Sequence, residues 1–167
     1  MPQAPIRSTL LAACLAAAAA AAHAGGVVSV TFVEPDKFAD SGTNAADRSA
    51  NLKVLEQHLK QLGQRYLGDG QSLQIEVTEV DLAGSTRPSR RSGEEIRIVR
   101  GMADWPRIEL RYALEAGGQK LKSGEAKIAD LNYTGHIASY GSRDPLRYEK
   151  QMLDAWFKAT FAAPPAQ

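Results

Sequence analysis

The densest group of side chains capable of chemistry lies in the segment "NYTGHIASYGSRDPLRYE", residues 132–149. His136 could carry a proton, and Arg143 and Arg147 could hold an anion. The two arginines flank the predicted start of a helix, where free N–H groups also favour negative charge. The segment therefore predicts a candidate ligand-binding site formed by these residues: Tyr133, His136, Tyr140, Arg143 and Arg147.

A structural interpretation of the same segment competes with the ligand site, and the residue types favour it. Asp144 is a good helix N-cap, and Pro145 suits the first helical position, where its missing N–H costs nothing. Arginines such as Arg147 also cover a core with their aliphatic stems. Exposed loops often contain arginine and tyrosine, so the segment is interpreted first as a helix start and second as a site.

Three further groups are weaker candidates. The acids Glu34, Asp36, Asp40 and Asp47 lack the spacing of a calcium loop and indicate a solvated loop with acids that favour a helix N-terminus. The run "TRPSRR" (residues 86–91) could grip phosphate, but without interleaved aromatic residues it is more typical of a solvated loop. His58 flanks an apolar helical stripe, a position more typical of packing than of metal binding.

The chain carries no nucleophile elbow, no phosphate-binding loop and no zinc-ligand spacing. The sequence therefore predicts no catalytic residue, no metal site and no cofactor. An alternative of a different class is a small hydrolase or lyase that uses His136 with Tyr133, Tyr140 or Asp144.

The first 24 residues have the layout of a secretory signal peptide. Arg7 supplies the positive charge, an unbroken apolar run extends from Leu10 to Ala22, and "AHA" ends at Ala24. The run is too short to span a bilayer, which needs about 20 apolar residues. We predict export to the periplasm with cleavage after Ala24, and no transmembrane segment in the mature chain.

Cys14 leaves a second possibility open, because "LAAC" matches the pattern at which bacterial lipoproteins are cut and acylated. Cleavage there would leave only residues 8–13 as the apolar region, below the usual length of about 7 to 15 residues. The apolar run also continues past the cysteine. An outer-membrane lipoprotein is therefore the less favoured alternative.

The predicted mature chain is electrically neutral. The full sequence has 20 basic and 19 acidic side chains, and Arg7 is the one charged residue before Gly25. A neutral domain has no overall field that would draw in nucleic acid, so none is predicted as a partner. The single cysteine leaves with the signal peptide, so the domain must fold without disulfides.

Hydrophobic periodicity predicts the order β-α-β-β-β-β-α. Strand patterns cover residues 27–33, 72–82, 94–99, 105–115 and 120–131, and a bulge near Thr78 restores the phase of the second strand. Helical patterns begin near Ala45 and at Pro145. In the last helix one apolar face is predicted to contain these residues: Leu146, Leu153, Trp156, Phe157 and Phe161, with Asp154 and Lys158 paired on the opposite side.

These elements predict an α+β fold, a two-layer sandwich in which both helices cover one face of a sheet. The sheet is antiparallel or mixed and contains about four to five strands. A single domain spans residues 25–161, and residues 162–167 are predicted to be a disordered tail.

Three segments, "VTFVEPDKFAD", "WPRIELRYAL" and "DPLRYEKQMLDAWF", together resemble the exported bacterial family called domain of unknown function 3016. The resemblance extends from Val27 to Phe157 and implies a signal-bearing protein of Gram-negative bacteria with one compact domain. It implies no reaction, cofactor or catalytic residue. We therefore predict a non-catalytic binding or accessory module of the cell envelope, whose partner is an envelope protein or a small ligand.

Overall fold

The fold is taken from a computed structural model, which describes residues 25–91, 93, 95–101, 103–135, 140–141 and 143–162. The predicted signal peptide, His136 and the tail beyond Ala162 lie outside these residues. The strands and α-helices of the described residues have these bounds: β1 Val27–Phe32, α1 Ala45–Tyr66, β2 Gln71–Asp81, β3 Ser85–Pro88, β4 Glu95–Ile98, β5 Arg107–Ala116, β6 Gln119–Ala129 and α2 Arg147–Phe161.

Four strands form one mixed sheet in the order β1-β2-β5-β6. β1 pairs with β2 in parallel, whereas β2–β5 and β5–β6 are antiparallel. A parallel pair cannot be joined by a tight turn, and α1 supplies the long crossover that it needs. The sheet confirms the predicted α+β class and the mixed alternative for its strand pairing.

α1 begins where the sequence predicted, and the apolar stripe that His58 flanks is buried. The side chain of Asn44 accepts hydrogen bonds from the N–H groups of Ala46 and Asp47, at 2.9 and 3.0 Å, which satisfies two otherwise free donors. The leucines of the stripe are buried against the sheet: Leu52, Leu55, Leu59 and Leu62.

The phase slip in β2 is resolved by a β-bulge. The pairing of β2 with β5 shifts between Val77 and Glu79, so that Thr78 is the extra residue. Val77 and Val80 are consequently both buried, at 1% and 0% exposure. The bulge confirms the prediction made from the alternation of apolar residues.

Both helices pack on one face of the sheet. The core joins residues of β2 and β5 to apolar side chains of both helices, among them Leu59, Leu153 and Phe157. The opposite face carries exposed ion pairs, such as Glu109 with Lys127 at 3.2 Å. This arrangement confirms the predicted two-layer sandwich.

The run "TRPSRR", predicted as a solvated loop, begins within a strand. β3 pairs with β4 in a separate two-stranded sheet, so β4 does not join the main sheet. Gly84 precedes β3 with φ +82°, and a Cβ there would collide with the carbonyl oxygen of Ile98. The prediction missed β3 because its four residues show no apolar alternation and end in Pro88.

α2 begins two residues later than predicted, at Arg147. Pro145 and Leu146 form a turn before the helix, and the carboxylate of Asp144 accepts the N–H of Leu146 at 2.9 Å. Asp144 therefore caps this turn instead of the helix. The predicted apolar face is also corrected, because Trp156 is only partly buried whereas Phe157 is fully buried.

Candidate functional site

The predicted site residues do not form one site. The structure places Tyr133, Tyr140 and Arg147 in three separate surroundings, and Arg143 is exposed. His136 lies outside the described residues. Each surrounding is therefore considered by itself.

Tyr133 is a buried structural residue with 1% exposure. Its hydroxyl donates to Asp104 Oδ1 at 2.5 Å and accepts the N–H of Gly101 at 3.1 Å. Burial, reinforced by Asp104, raises the pKa of Tyr133 to about 12, which keeps the phenol neutral at physiological pH. These bonds hold the turn that precedes β5, which favours a structural role.

Tyr140 joins a polar cluster between the two helices. Its hydroxyl donates to Asp154 Oδ2 at 2.6 Å, and its ring meets the ring of His58 edge-on at 5.7 Å. Burial, followed by the hydrogen bond to Asp154, raises the pKa of Tyr140 well above its usual value. The phenol is therefore a fixed hydrogen-bond donor in this cluster.

His58 is the histidine of this cluster, buried on α1 with 6% exposure. Its Nε2 lies 2.9 Å from Asp154 Oδ1 and 3.3 Å from the carbonyl oxygen of Lys150. Both partners are acceptors, so Nε2 carries a proton. Burial lowers the pKa of His58 despite the opposing pull of Asp154, which favours the neutral ring.

The cluster links α1 to α2 and corrects one prediction. Asp154 was predicted to pair with Lys158 on the solvent side, but its carboxylate faces α1 and accepts from Tyr140 and His58. The prediction that His58 serves packing agrees with its burial. The cluster contains residue types used in acid–base catalysis, yet its geometry serves to join the helices.

Asp144 holds the start of α2 through an ion pair with Lys150. Its Oδ2 accepts from Lys150 Nζ at 2.6 Å, while its Oδ1 accepts the N–H of Leu146. Burial raises the pKa of Asp144, but the bonds from Lys150 and Leu146 outweigh it and the net shift is downward. Asp144 is therefore a charged acceptor, poorly suited to the role of proton donor at neutral pH.

Arg147 lines a cavity of about 170 Å³ at the start of α2. Its guanidinium lies over the ring of Tyr148, 4.3 Å from the centroid, and donates to the Tyr148 hydroxyl at 2.8 Å. The cavity combines two arginines and two other polar side chains with an apolar wall, and its lining residues are these: Asn51, Arg97, Val99, Pro145, Leu146, Arg147 and Tyr148. Arg143 does not belong to this lining.

Arg97 reaches this cavity from β4. It donates to Asp40 Oδ2 at 3.0 Å and to the carbonyl oxygen of Ala83 at 2.6 Å, so its position is fixed from two sides. Asn51 is held by one such bond, because its side-chain amide donates to the carbonyl oxygen of Ser41 at 3.0 Å. The two side chains are thus held by bonds to two separate segments of the chain, residues 40–41 and Ala83.

Beside these bonds lies the buried carboxylate of Glu149, with 1% exposure. Its Oε1 accepts the N–H of Ala83 at 2.7 Å, and its Oε2 has no hydrogen-bond partner among the described residues. Burial raises the pKa of Glu149, opposed by the N–H of Ala83 and by Arg97. Glu149 and Arg97 together fix Ala83, the residue that connects β2 to β3.

Sequence reasoning missed Arg97, Asn51 and Glu149 as site residues. Glu149 had a visible signal, because it lies three residues after Leu146 and four before Leu153, in the middle of the apolar stripe. An acid at such a position is buried with the stripe. Arg97 and Asn51 gave no comparable signal, because the hairpin that positions Arg97 was not predicted.

Each of the acidic residues after β1 contacts a different partner. Glu34 pairs with Lys37, Asp36 with Arg48 and Asp40 with Arg97, while the side chain of Asp47 accepts from Asn44. Among the described residues, no three His, Cys, Asp or Glu side chains lie close enough together to hold a metal ion. This distribution agrees with the interpretation of these acids as a polar loop with an acid at the start of a helix, since Asp47 lies in the first turn of α1.

Fold and site together define a small α+β domain in which a hairpin and the start of α2 enclose a donor-rich cavity. The chain belongs to the family described as a protein of unknown function, DUF3016, whose sequence profile matches residues 26–159. No curated protein and no solved structure shows a significant match to the chain. In the part of the chain that the structure describes, neither helix has the length and apolar character needed to cross a membrane.

Proposed function

We propose that the protein is an exported, non-catalytic binding module whose ligand is a small anion with a carboxylate or phosphate group. The observation that carries this proposal is the cavity in which Arg97 of β4 and Arg147 of α2 line the same space. Guanidinium groups match the planar geometry of carboxylate and phosphate oxygens and donate to them in pairs.

The other lining residues define the rest of the ligand. Val99, Pro145 and Leu146 form an apolar wall beside the arginines, suited to a short hydrocarbon part. The cavity also lies at the start of α2, where backbone N–H groups add positive potential. At about 170 Å³ the cavity fits a group the size of a short carboxylic acid or a phosphate, not a large cofactor.

Arg147 and Arg143 provide a matched test, since Arg147 is the first residue of α2, Arg143 lies four residues before it, and only Arg147 lines the cavity. Isothermal titration with inorganic phosphate and with succinate is expected to detect binding to the wild type. Arg147→Ala should weaken it about tenfold or more, because a hydrogen bond to a charged group contributes about 1.5 to 3 kcal/mol. Arg143→Ala should bind like the wild type.

Equal losses in both variants would show that the anions respond only to net charge at this surface. If neither anion gives a heat of binding at concentrations up to about 10 mM, the proposal is overturned for carboxylates and phosphates. Any binding that escapes detection at that concentration is weaker than about 3 kcal/mol.

Export is the second part of the proposal and rests on the segment from Arg7 to Ala24. N-terminal sequencing of the protein from a periplasmic extract is expected to begin at Gly25. Cys14→Ser should leave its amount and location unchanged. A membrane-bound form that begins at an acylated Cys14 would instead support the lipoprotein alternative.

The catalytic alternative is less favoured by the geometry. Of its predicted residues, Tyr133 and Tyr140 donate to carboxylates and have raised pKa values, and Asp144 is paired with Lys150. Such groups hold their protons or charges at neutral pH, whereas an acid–base pair needs groups that exchange them. These contacts favour the binding module.

A further inference from the structure

We propose that two copies of this chain associate through β6, pairing edge to edge in an antiparallel manner to form one continuous eight-stranded sheet. β6 is the last strand in the order β1-β2-β5-β6, and among the described residues no other strand pairs with its outer side. Its outer backbone N–H and C=O groups therefore face away from the sheet along the length from Gln119 to Ala129. A strand of this length is a ready surface for addition of another strand.

The space above this edge is apolar and only partly covered. A groove of about 480 Å³ lies between β6 and α2, with an apolar floor and wall formed mainly by these residues: Ala126, Ile128, Ala129, Met152, Ala155 and Trp156. Trp156 is partly buried there despite its size. Paired strands lie about 4.8 Å apart and packed helices about 10 Å apart. With these spacings the α2 helix of the second copy would lie across this groove.

The sequence of β6 identifies a second copy as the occupant. In an antiparallel pair with its two-fold axis at Ala126, Glu125 of each copy lies opposite Lys127 of the other. The same register sets Lys122 opposite Asp130 at the ends of the ladder. Leu121 and Leu131, which are 53% and 64% exposed, lie outside this regular ladder, since the pairing of β6 with β5 shifts at Leu121 and β6 ends at Ala129.

Neighbouring registers lose this match. An axis at Glu125 would set two glutamates opposite each other, and an axis at Lys127 would set two lysines opposite each other, both unfavourable. Lysines on an edge strand normally oppose pairing with another chain. In the register centred on Ala126, Lys127 lies opposite Glu125 of the other copy and therefore favours pairing.

The outer face of the sheet extends this charge pattern. Within one chain Glu76, Arg111 and Glu125 form a row across β2, β5 and β6, with ion-pair distances of 3.7 and 3.4 Å. Lys127 meets Glu109 at 3.2 Å. Pairing at Ala126 joins the two rows, so that the signs alternate without interruption from Glu76 of one copy to Glu109 of the other.

Sedimentation velocity of the protein purified from cells that express the full chain tests this interface. The wild type is expected to show a concentration-dependent dimer. Glu125→Lys and Lys127→Glu should each weaken it by about tenfold or more, because symmetry places two like-charge contacts in every dimer. An equimolar mixture of the two variants should recover dimers, since each strand then meets opposite charges again.

Lys53→Glu on the exposed side of α1 is the matched control, with the same change of charge away from β6. It should leave dimerisation unchanged. If the wild type stays monomeric at about 100 μM, the proposal is overturned. Sedimentation at that concentration detects a dimer with a binding free energy of roughly 5 to 6 kcal/mol. A dimer that neither variant weakens, or variants whose mixture stays monomeric, would also overturn the proposal.

Discussion

Phe157→Ala is expected to lower the free energy of unfolding by about 3 to 5 kcal/mol, the usual cost of deleting a large buried aromatic side chain. Phe157 is fully buried and contacts the rings of Tyr66, Trp156 and Phe161. The surrounding core comes from both helices and the sheet, so it cannot collapse into the cavity without moving whole elements. Chemical denaturation of the wild type and the variant measures the difference.

Trp156→Ala is the control for this prediction, because it removes a larger side chain from the adjacent, preceding position in α2. Trp156 is only partly buried, and its loss should cost less, about 1 to 2 kcal/mol. If Trp156→Ala proves more costly than Phe157→Ala, the face of α2 that is assigned to the core is wrong.

Glu149→Ala is expected to lower the free energy of unfolding by about 2 to 4 kcal/mol at neutral pH. The change leaves the buried N–H of Ala83 without its acceptor, which costs about 1 to 3 kcal/mol, and it adds a cavity in the core. Glu149→Gln keeps an acceptor for Ala83 and removes the charge, so its effect should stay within about 1 kcal/mol. Denaturation of both variants at one pH separates these contributions.

Glu149 also predicts a dependence of stability on pH. Burial raises the pKa of Glu149 in the folded state above the unfolded value of 4.5. As the pH falls from neutral through the folded pKa towards 4.5, the folded state takes up the proton first, so this group adds stability over that window. Glu149→Gln should lack this contribution. The difference in the free energy of unfolding between the wild type and this variant should therefore change with pH between neutral pH and 4.5. A difference that stays constant from pH 7.5 to about 4.5 would contradict a raised pKa.

Much of the fold could be predicted because the apolar pattern is regular. The stripe of α1 and the alternation of β5 each specify one buried face, and the slip after Val77 placed the bulge near Thr78 and Glu79, where the pairing shifts. β3 could not be found, since its four residues are held by pairing with β4 instead of by a buried face. The start of α2 was misplaced because Asp144 accepts an N–H from a turn as readily as from a helix.

The site was less predictable because its contacts cross long stretches of sequence. His58 and Asp154 are 96 residues apart, and Ala83 and Glu149 are 66 apart. Local periodicity identifies a polar residue on an apolar face, as for Glu149, but it does not name the partner. The same limitation explains why Arg147 was grouped with its chain neighbour Arg143 and not with Arg97.

The position of α2 as the last element of the domain bears on the order of folding during synthesis. Leu153 and Phe157 complete the core from the last element, and Asp154 and Glu149 close loops that begin at α1 and at the end of β2. Until this helix has left the ribosome, the apolar faces of α1 and the sheet are covered only where they pack on each other, and closing such long loops is slow. The domain therefore stays open until its last helix has been made, a state accessible to chaperones and to any machinery that handles unfolded chains.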